Sequence, residues 1–223
     1  MRKFALASAL VICASSAAAV APFVHGGLAD IAPGSWTKIN QKGEEELFPA
    51  SYGYTFYLGG GITYDVAKFR QKKVIPTLSL DTSGGFTRFH REWRIKDLEG
   101  WEQTFYQFTV VETLTLRLKI PAGSRLITPY IGVGGGIAIA PSSISGEEGL
   151  YEDSVTAFKP VYAVPFGVEI TLTPSSTIFW QFGPVAPVGK AVYEYENNRG
   201  NTETVEAELP NSFLVTFGYR WGS

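Results

Sequence analysis

Tyr106–Ile120 reads YQFTVVETLTLRLKI, and its even positions are Tyr106, Phe108, Val110, Glu112, Leu114, Leu116, Leu118 and Ile120. All of these except Glu112 are apolar. The odd positions between them are Gln107, Thr109, Val111, Thr113, Thr115, Arg117 and Lys119. Successive side chains of an extended chain point to opposite faces, so this period of two gathers bulk on one face and hydroxyls and cations on the other. The stretch predicts a strand with a single face fit for hydrocarbon. Glu112 is the exception in the apolar register, and it implies either that the strand has left the bilayer at that height or that a bulge shifts the face.

Working outward, the same alternation recurs. Tyr52, Tyr54, Phe56, Leu58, Ile62 and Tyr64 oppose Gly53, Thr55, Tyr57, Gly59, Gly61 and Thr63. Tyr162, Val164, Phe166, Val168, Ile170 and Leu172 alternate with Ala163, Pro165, Gly167, Glu169 and Thr171, and Phe213, Val215, Phe217, Tyr219 and Trp221 alternate with Ser212, Leu214, Thr216, Gly218 and Arg220. A soluble sandwich turns its large residues inward and its charges outward. Here the small face is glycine, threonine and scattered charge, which suits a narrow filled lumen, and the bulky aromatic face suits lipid. The predicted fold is all-β, a closed antiparallel transmembrane β-barrel of eight strands.

The N-terminus places such a barrel in an export route. Arg2 and Lys3 precede the apolar run Phe4 to Ala14, and small residues follow at 17–21, the pattern of a secretory signal peptide cleaved after Ala19 or Ala21. We divide the chain into a signal peptide, 1–21, and a barrel domain, 22–223. Cys13, the single cysteine, lies in the signal, so disulfides, thiolate metal sites and cysteine nucleophiles are not expected. The net charge is −2, and −4 without Arg2 and Lys3, which argues against a nucleic-acid partner.

Proline and glycine mark tight bends at Pro121-Ala122-Gly123-Ser124 and Thr173-Pro174-Ser175-Ser176. Outer-membrane barrels have short inner turns and long outer loops, so these bends orient the chain. The expected strands are 34–41, 51–64, 74–89, 103–120, 126–140, 161–172, 177–190 and 212–221. Outer loops follow at 42–50, 90–102, 141–160 and 191–211, with an inner turn at 65–73. The first, third and fourth loops are acidic, with Glu44, Glu45, Glu46, Glu147, Glu148, Glu194, Glu206 and Glu208 among their residues. In the fourth, Val192 to Glu196 and Thr202 to Ala207 flank Asn197-Asn198-Arg199-Gly200 and predict a hairpin.

The segment TPYIGVGGGIA, Thr128 to Ala138, resembles an outward-running strand of the small outer-membrane β-barrel proteins related to the OmpA-type barrel and to the porin-family surface antigens. Phe166-Gly167-Val168-Glu169 and the closing Phe217-Gly218-Tyr219-Arg220-Trp221 look like later strands of the same family. The resemblance implies a bacterial outer-membrane location, with lipid and lipopolysaccharide around the barrel and the barrel-assembly machinery as a partner. Family members usually end on an aromatic residue, whereas Gly222 and Ser223 follow Trp221 here.

Candidate chemistry is sparse. Glu44-Glu45-Glu46 lacks the spaced oxygens and turn glycine of a calcium loop. Some eight-stranded barrels modify lipid A, but the position two after His90 is Glu92, where the deacylases of that kind carry a serine nucleophile. No catalytic, metal or cofactor residues are assigned, and the chain is read as a non-enzyme. Tyr57 and Tyr130 face the lumen as packing. The inward charges Arg117, Lys119, Glu169 and Arg220 fall near the inner ends of their strands and could meet at one level, with Glu169 pairing Arg117 or Arg220 as a plug. Tyr64, Trp180, Tyr219 and Trp221 are expected at the membrane interface. The functional expectation is a structural or surface-interaction protein that contacts a surface or host ligand through acidic outer loops. The alternatives are a narrow pore for small solutes and a lipid A-modifying enzyme.

Overall fold

The computed structural model describes residues 20–31, 35–39, 42–49, 53–69, 73–95, 98–145, 152–196 and 202–222. Its strands are β1 (Val20–Ile31), β2 (Ser35–Ile39), β3 (Glu45–Pro49), β4 (Tyr54–Lys68), β5 (Ile75–Ile95), β6 (Leu98–Ala122), β7 (Arg125–Ser145), β8 (Glu152–Ala163), β9 (Phe166–Thr173), β10 (Ser176–Pro187), β11 (Lys190–Glu196), β12 (Thr202–Glu208) and β13 (Ser212–Trp221). The wall runs β1-β4-β5-β6-β7, then β8 and β9 as two halves of one interrupted strand, then β10 and β13, which pairs back onto β1. All pairs are antiparallel, and eight wall strands close the ring.

The register fixes the barrel's shape. Ala21 pairs with Thr63, Thr63 with Asp81, Asp81 with Thr113 and Thr113 with Gly134. Gly134 pairs with Ala163, Ala163 with Val185, Val185 with Ser212 and Ser212 with Ile31. One circuit therefore returns to β1 ten residues beyond its start. Such a stagger on eight strands corresponds to a tilt of about 40° and a lumen that side chains fill.

The two faces separate as the period demands. Leu116, Phe166 and Phe217 point away from the ring and are 42%, 41% and 50% exposed, while their neighbours Thr115, Arg117 and Thr216 are buried. Inward glycines are set by space. A Cβ on Gly136 would lie 1.8 Å from the Val110 carbonyl oxygen, and one on Gly27 would lie 2.0 Å from that of Val215. Between β8 and β9, Val164 and Pro165 interrupt the strand, because proline supplies no N–H to the ladder. Two bonds bridge the break, from Val164 N–H to the Pro184 carbonyl at 3.1 Å and from Gly132 N–H to the Pro165 carbonyl at 2.7 Å.

Four expectations about the chain path are corrected. The first wall strand is Val20–Ile31, not 34–41, and it begins where the signal-like segment was expected to end. Its outward series, Val20, Pro22, Val24, Gly26 and Leu28, is too weakly apolar to stand out, and Gly26-Gly27 interrupts it. Ser35–Ile39 instead joins β3, β11 and β12 in a separate four-stranded sheet. The supposed outer loops 90–102 and 141–160 are largely strand, since β5, β6, β7 and β8 continue well past the apolar band. The hairpin expected in the fourth loop is present as β11 and β12. Residues 1–19, where the signal segment was read, lie outside the described residues.

Substituting Gly136 with valine should abolish folding, since the obstruction is backbone and cannot yield. Gly26→Ala, whose Cβ would meet nothing nearer than 3.5 Å, should fold normally. The fraction of refolded protein that migrates anomalously before boiling reads both, and equal folding of the two variants would contradict the assignment of faces.

Candidate functional site

The inner third of the lumen is crossed by an ionic lattice built on inward positions of four wall strands. Arg117 on β6 donates from Nε to Glu169 Oε1 at 3.0 Å and from Nη2 to Asp81 Oδ2 at 2.7 Å. Arg220 on β13 donates from Nη1 to the other Glu169 oxygen at 2.8 Å. Arg117 is 2% and Glu169 4% exposed, so each charge has left water and is compensated by its partners. The Thr115 hydroxyl donates to the same Asp81 oxygen at 2.7 Å. Aromatic faces hold the guanidinium groups: Arg117 lies over Tyr130 at 5.5 Å, and Arg220 lies over Phe23 at 5.8 Å and over Phe179 at 5.6 Å.

Of the four inward charges singled out in the sequence, the fold brings Arg117, Glu169 and Arg220 into direct contact. Lys119 lies nearer the inner mouth and contacts Asp65 at 3.3 Å, where Lys68 also reaches that carboxylate at 3.1 Å. Asp81 and Asp65 were not singled out. Asp81 belongs to the odd series Thr77, Ser79, Asp81, Ser83, whose uniform polarity marks an inward face and could have revealed it. Below the lattice a vestibule of about 630 Å³ opens at the inner mouth, lined by Asp65, Lys68, Lys119 and Thr171 among others.

Above the lattice the lumen stays filled. His25 stacks edge-on against Tyr57 at 5.1 Å, with its Nδ1 3.3 Å from the Thr216 hydroxyl and its Nε2 3.4 Å from the Tyr57 hydroxyl. Tyr130 donates to Gln181 Oε1 at 3.3 Å. The cavity beside these groups is about 40 Å³, room for water but not for a solute. Higher still, β11 and β12 fold their inner face over the outer mouth, and Tyr193 and Val205 pack with Phe89, Phe105 and Leu209 into an apolar core. Tyr193 is also hydrogen-bonded to Ser142 of the wall.

The outer face of that four-stranded sheet carries the acidic residues. Register places Glu194, Thr204, Ile39 and Glu45 in one row, and Val192, Glu206, Thr37 and Leu47 in the next. Glu45, Glu194, Leu47 and Val192 are exposed. Lys190 pairs with Glu206 at 2.7 Å, and this hydrogen bond holds its amine above the usual lysine range, although so exposed a pair adds little stability. The side chains of His90 and Glu92 lie outside the described residues, as do Glu46, Glu147 and Glu148. Among the described residues no group of three or more His, Cys, Asp or Glu is placed to hold a metal.

Tyr64, Trp180, Tyr219 and Trp221 all lie on the outward face toward the inner end of the wall. Trp180 meets Phe217 edge-to-face at 5.2 Å, and Tyr219 meets Trp221 in the same way at 4.8 Å.

Solved outer-membrane proteins share this architecture. The outer-membrane protein OprG from Pseudomonas aeruginosa is 16% identical, and the alignment covers 92% of this chain and 98% of that one with a TM-score of 0.51. The chain has the fold of a small outer-membrane barrel. At that identity the likeness to OprG carries the fold alone. A major outer-membrane protein from Thermus thermophilus (12% identity, 90% and 98% coverage, TM-score 0.48) and the Neisserial surface protein A (13%, 91% and 99%, 0.47) are also similar. No family model matches the chain, and no curated protein matches it.

Replacing Glu169 with leucine strands two buried guanidinium groups in this barrel. The expected loss is about 3–5 kcal/mol in urea unfolding from lipid vesicles, with a smaller loss for Glu169→Gln. Unchanged stability of the leucine variant would contradict a load shared through Glu169.

Proposed function

We propose that this protein is an exported, integral barrel of the bacterial outer membrane, with its signal cleaved after Ala19 so that β1 stays whole, that acts without catalysis as a structural and surface-interaction element. The observation that carries this reading is the lumen, obstructed at two independent levels while an acidic sheet projects from the outer end. The ionic lattice around Glu169 blocks the inner third, and the core of Phe89, Phe105 and Tyr193 blocks the outer mouth. What then faces the surroundings is Glu45 and Glu194 beside the exposed apolar groups Leu47 and Val192. That combination fits a partner surface with basic and apolar groups. Tyr64, Trp180, Tyr219 and Trp221 would anchor the wall at the inner water boundary, with lipid around it and lipopolysaccharide on its outer side.

One observation favours a second reading. The vestibule reaches the lattice from the inner mouth, and rearrangement of the Arg117, Glu169 and Arg220 contacts would be the first step in opening a narrow pore. The two readings part in one set of measurements on the full chain reconstituted in bilayers. The surface reading expects no stable conductance steps, together with salt-sensitive binding to a polylysine surface that Glu45→Gln/Glu194→Gln weakens severalfold. Sustained conductance by the unaltered chain, or polylysine binding indifferent to the double substitution, would count against it.

A further inference from the structure

The lipid-facing wall carries a carboxylate in the middle of its apolar band. Glu112 points outward in unbroken register, paired with Thr82 on β5 and with Gly135 on β7, and the register shift on β6 lies far away at its outer end. A bulge therefore does not explain it. On the same face of β6, Leu114, Leu116, Leu118 and Ile120 follow toward the inner turn, and Val110, Phe108 and Tyr106 follow toward the outer end, all of them exposed. Alternate residues of a strand tilted by about 40° differ by ~5 Å in depth, so apolar wall extends roughly 20 Å below Glu112 and 15 Å above it. Among the described residues no hydrogen bond or ion pair holds this side chain, and Arg88, the outward cation of β5, sits three outward positions above Thr82 and stacks on Tyr106.

The wall around Glu112 is also recessed without internal cause. A Cβ on Gly135 would meet nothing nearer than 3.4 Å, and one on Gly84 nothing nearer than 3.6 Å, unlike the inward glycines that the lumen requires. Gly84 lies diagonal to Glu112 across the ladder. Glycine within a strand weakens it and marks places where another backbone approaches closely. An ionisable group facing hydrocarbon costs energy and points to an intramembrane partner.

We propose that the face centred on Glu112, with Thr82, Gly84 and Gly135, is the contact between two copies of this chain in the membrane. Two barrels inserted in the same direction and related by a two-fold axis along the membrane normal present every residue to a neighbour of equal depth. Glu112 then meets Glu112 and Thr82 of the second copy, two carboxyls and two hydroxyls that can close a reciprocal hydrogen-bonded set. Lipid chains offer no such partner. The glycines let the two walls approach closely enough for that set to form, as small residues do between membrane helices.

The test is single-molecule photobleaching of the full barrel in lipid vesicles over a range of protein-to-lipid ratios. Unaltered chain should show a saturable rise of two-step events. Glu112→Leu should lower the dimer association constant at least tenfold, Glu112→Gln should retain it within about threefold, and Gly84→Leu/Gly135→Leu should lower it through bulk alone. The fraction of protein that is heat-modifiable on gels shows that each variant is folded. Monomers at every ratio, or a leucine variant that dimerises as well as the unaltered chain, would overturn the proposal, including in favour of a different membrane protein as the occupant.

Discussion

A backbone N–H or C=O left unpaired in hydrocarbon costs several kcal/mol, and a sheet can cross a bilayer only by closing on itself. In this chain the closing seam is β13 on β1, from Phe23 opposite Arg220 to Ile31 opposite Ser212. Everything inside follows from that closure at eight strands. The ring is narrow, so Gly27, Gly61, Gly134 and Gly136 lie where a Cβ would strike a neighbouring backbone. Charges that enter so tight a space cannot keep their water, and Asp81, Arg117, Glu169 and Arg220 therefore pair with one another. Closure also frees the outer face from carrying any polar backbone, and it can be almost wholly aliphatic and aromatic.

The parts of the fold legible in the sequence were those set by that inside-outside contrast. Tyr106–Ile120 alternates so cleanly because β6 is flanked by full-length neighbours and buries one face throughout. The turns at Gly123 and at Pro174 were readable because tight bends demand particular residues, and Gly123 adopts a φ of 63°. β1 was illegible for the converse reason. Its outward residues are small, its inward residues include the large Phe23 and His25, and the contrast between its faces nearly vanishes. The outward extensions of β5 to β8 were missed because they stand above the apolar band, where alternation is no longer enforced by lipid.

The lattice shows where pattern reading reaches its limit. Parity along a strand told which charges point inward, but not the stagger of ten residues that sets their depths around the ring. With the stagger in place, Glu169 comes level with Arg117 and Arg220, while Lys119 falls toward the mouth and joins Asp65. The outer sheet was hidden for a similar reason. Its hairpin, β11 with β12, was readable from local turn chemistry, but its union with β2 and β3 depends on contacts distant in the chain. Glu112 is the residue the contrast does not explain, since it obeys the register and violates the polarity.

The most direct measurement is a nitroxide scan of positions 106–120 in lipid bilayers, reading collisions with oxygen against a water-soluble nickel chelate. Closure with bulk outward requires a period of two, with oxygen maxima at Phe108, Leu114, Leu116 and Leu118 and low access to both reagents at Thr113 and Thr115. A flat profile, or oxygen maxima at the odd positions, would contradict the barrel as described.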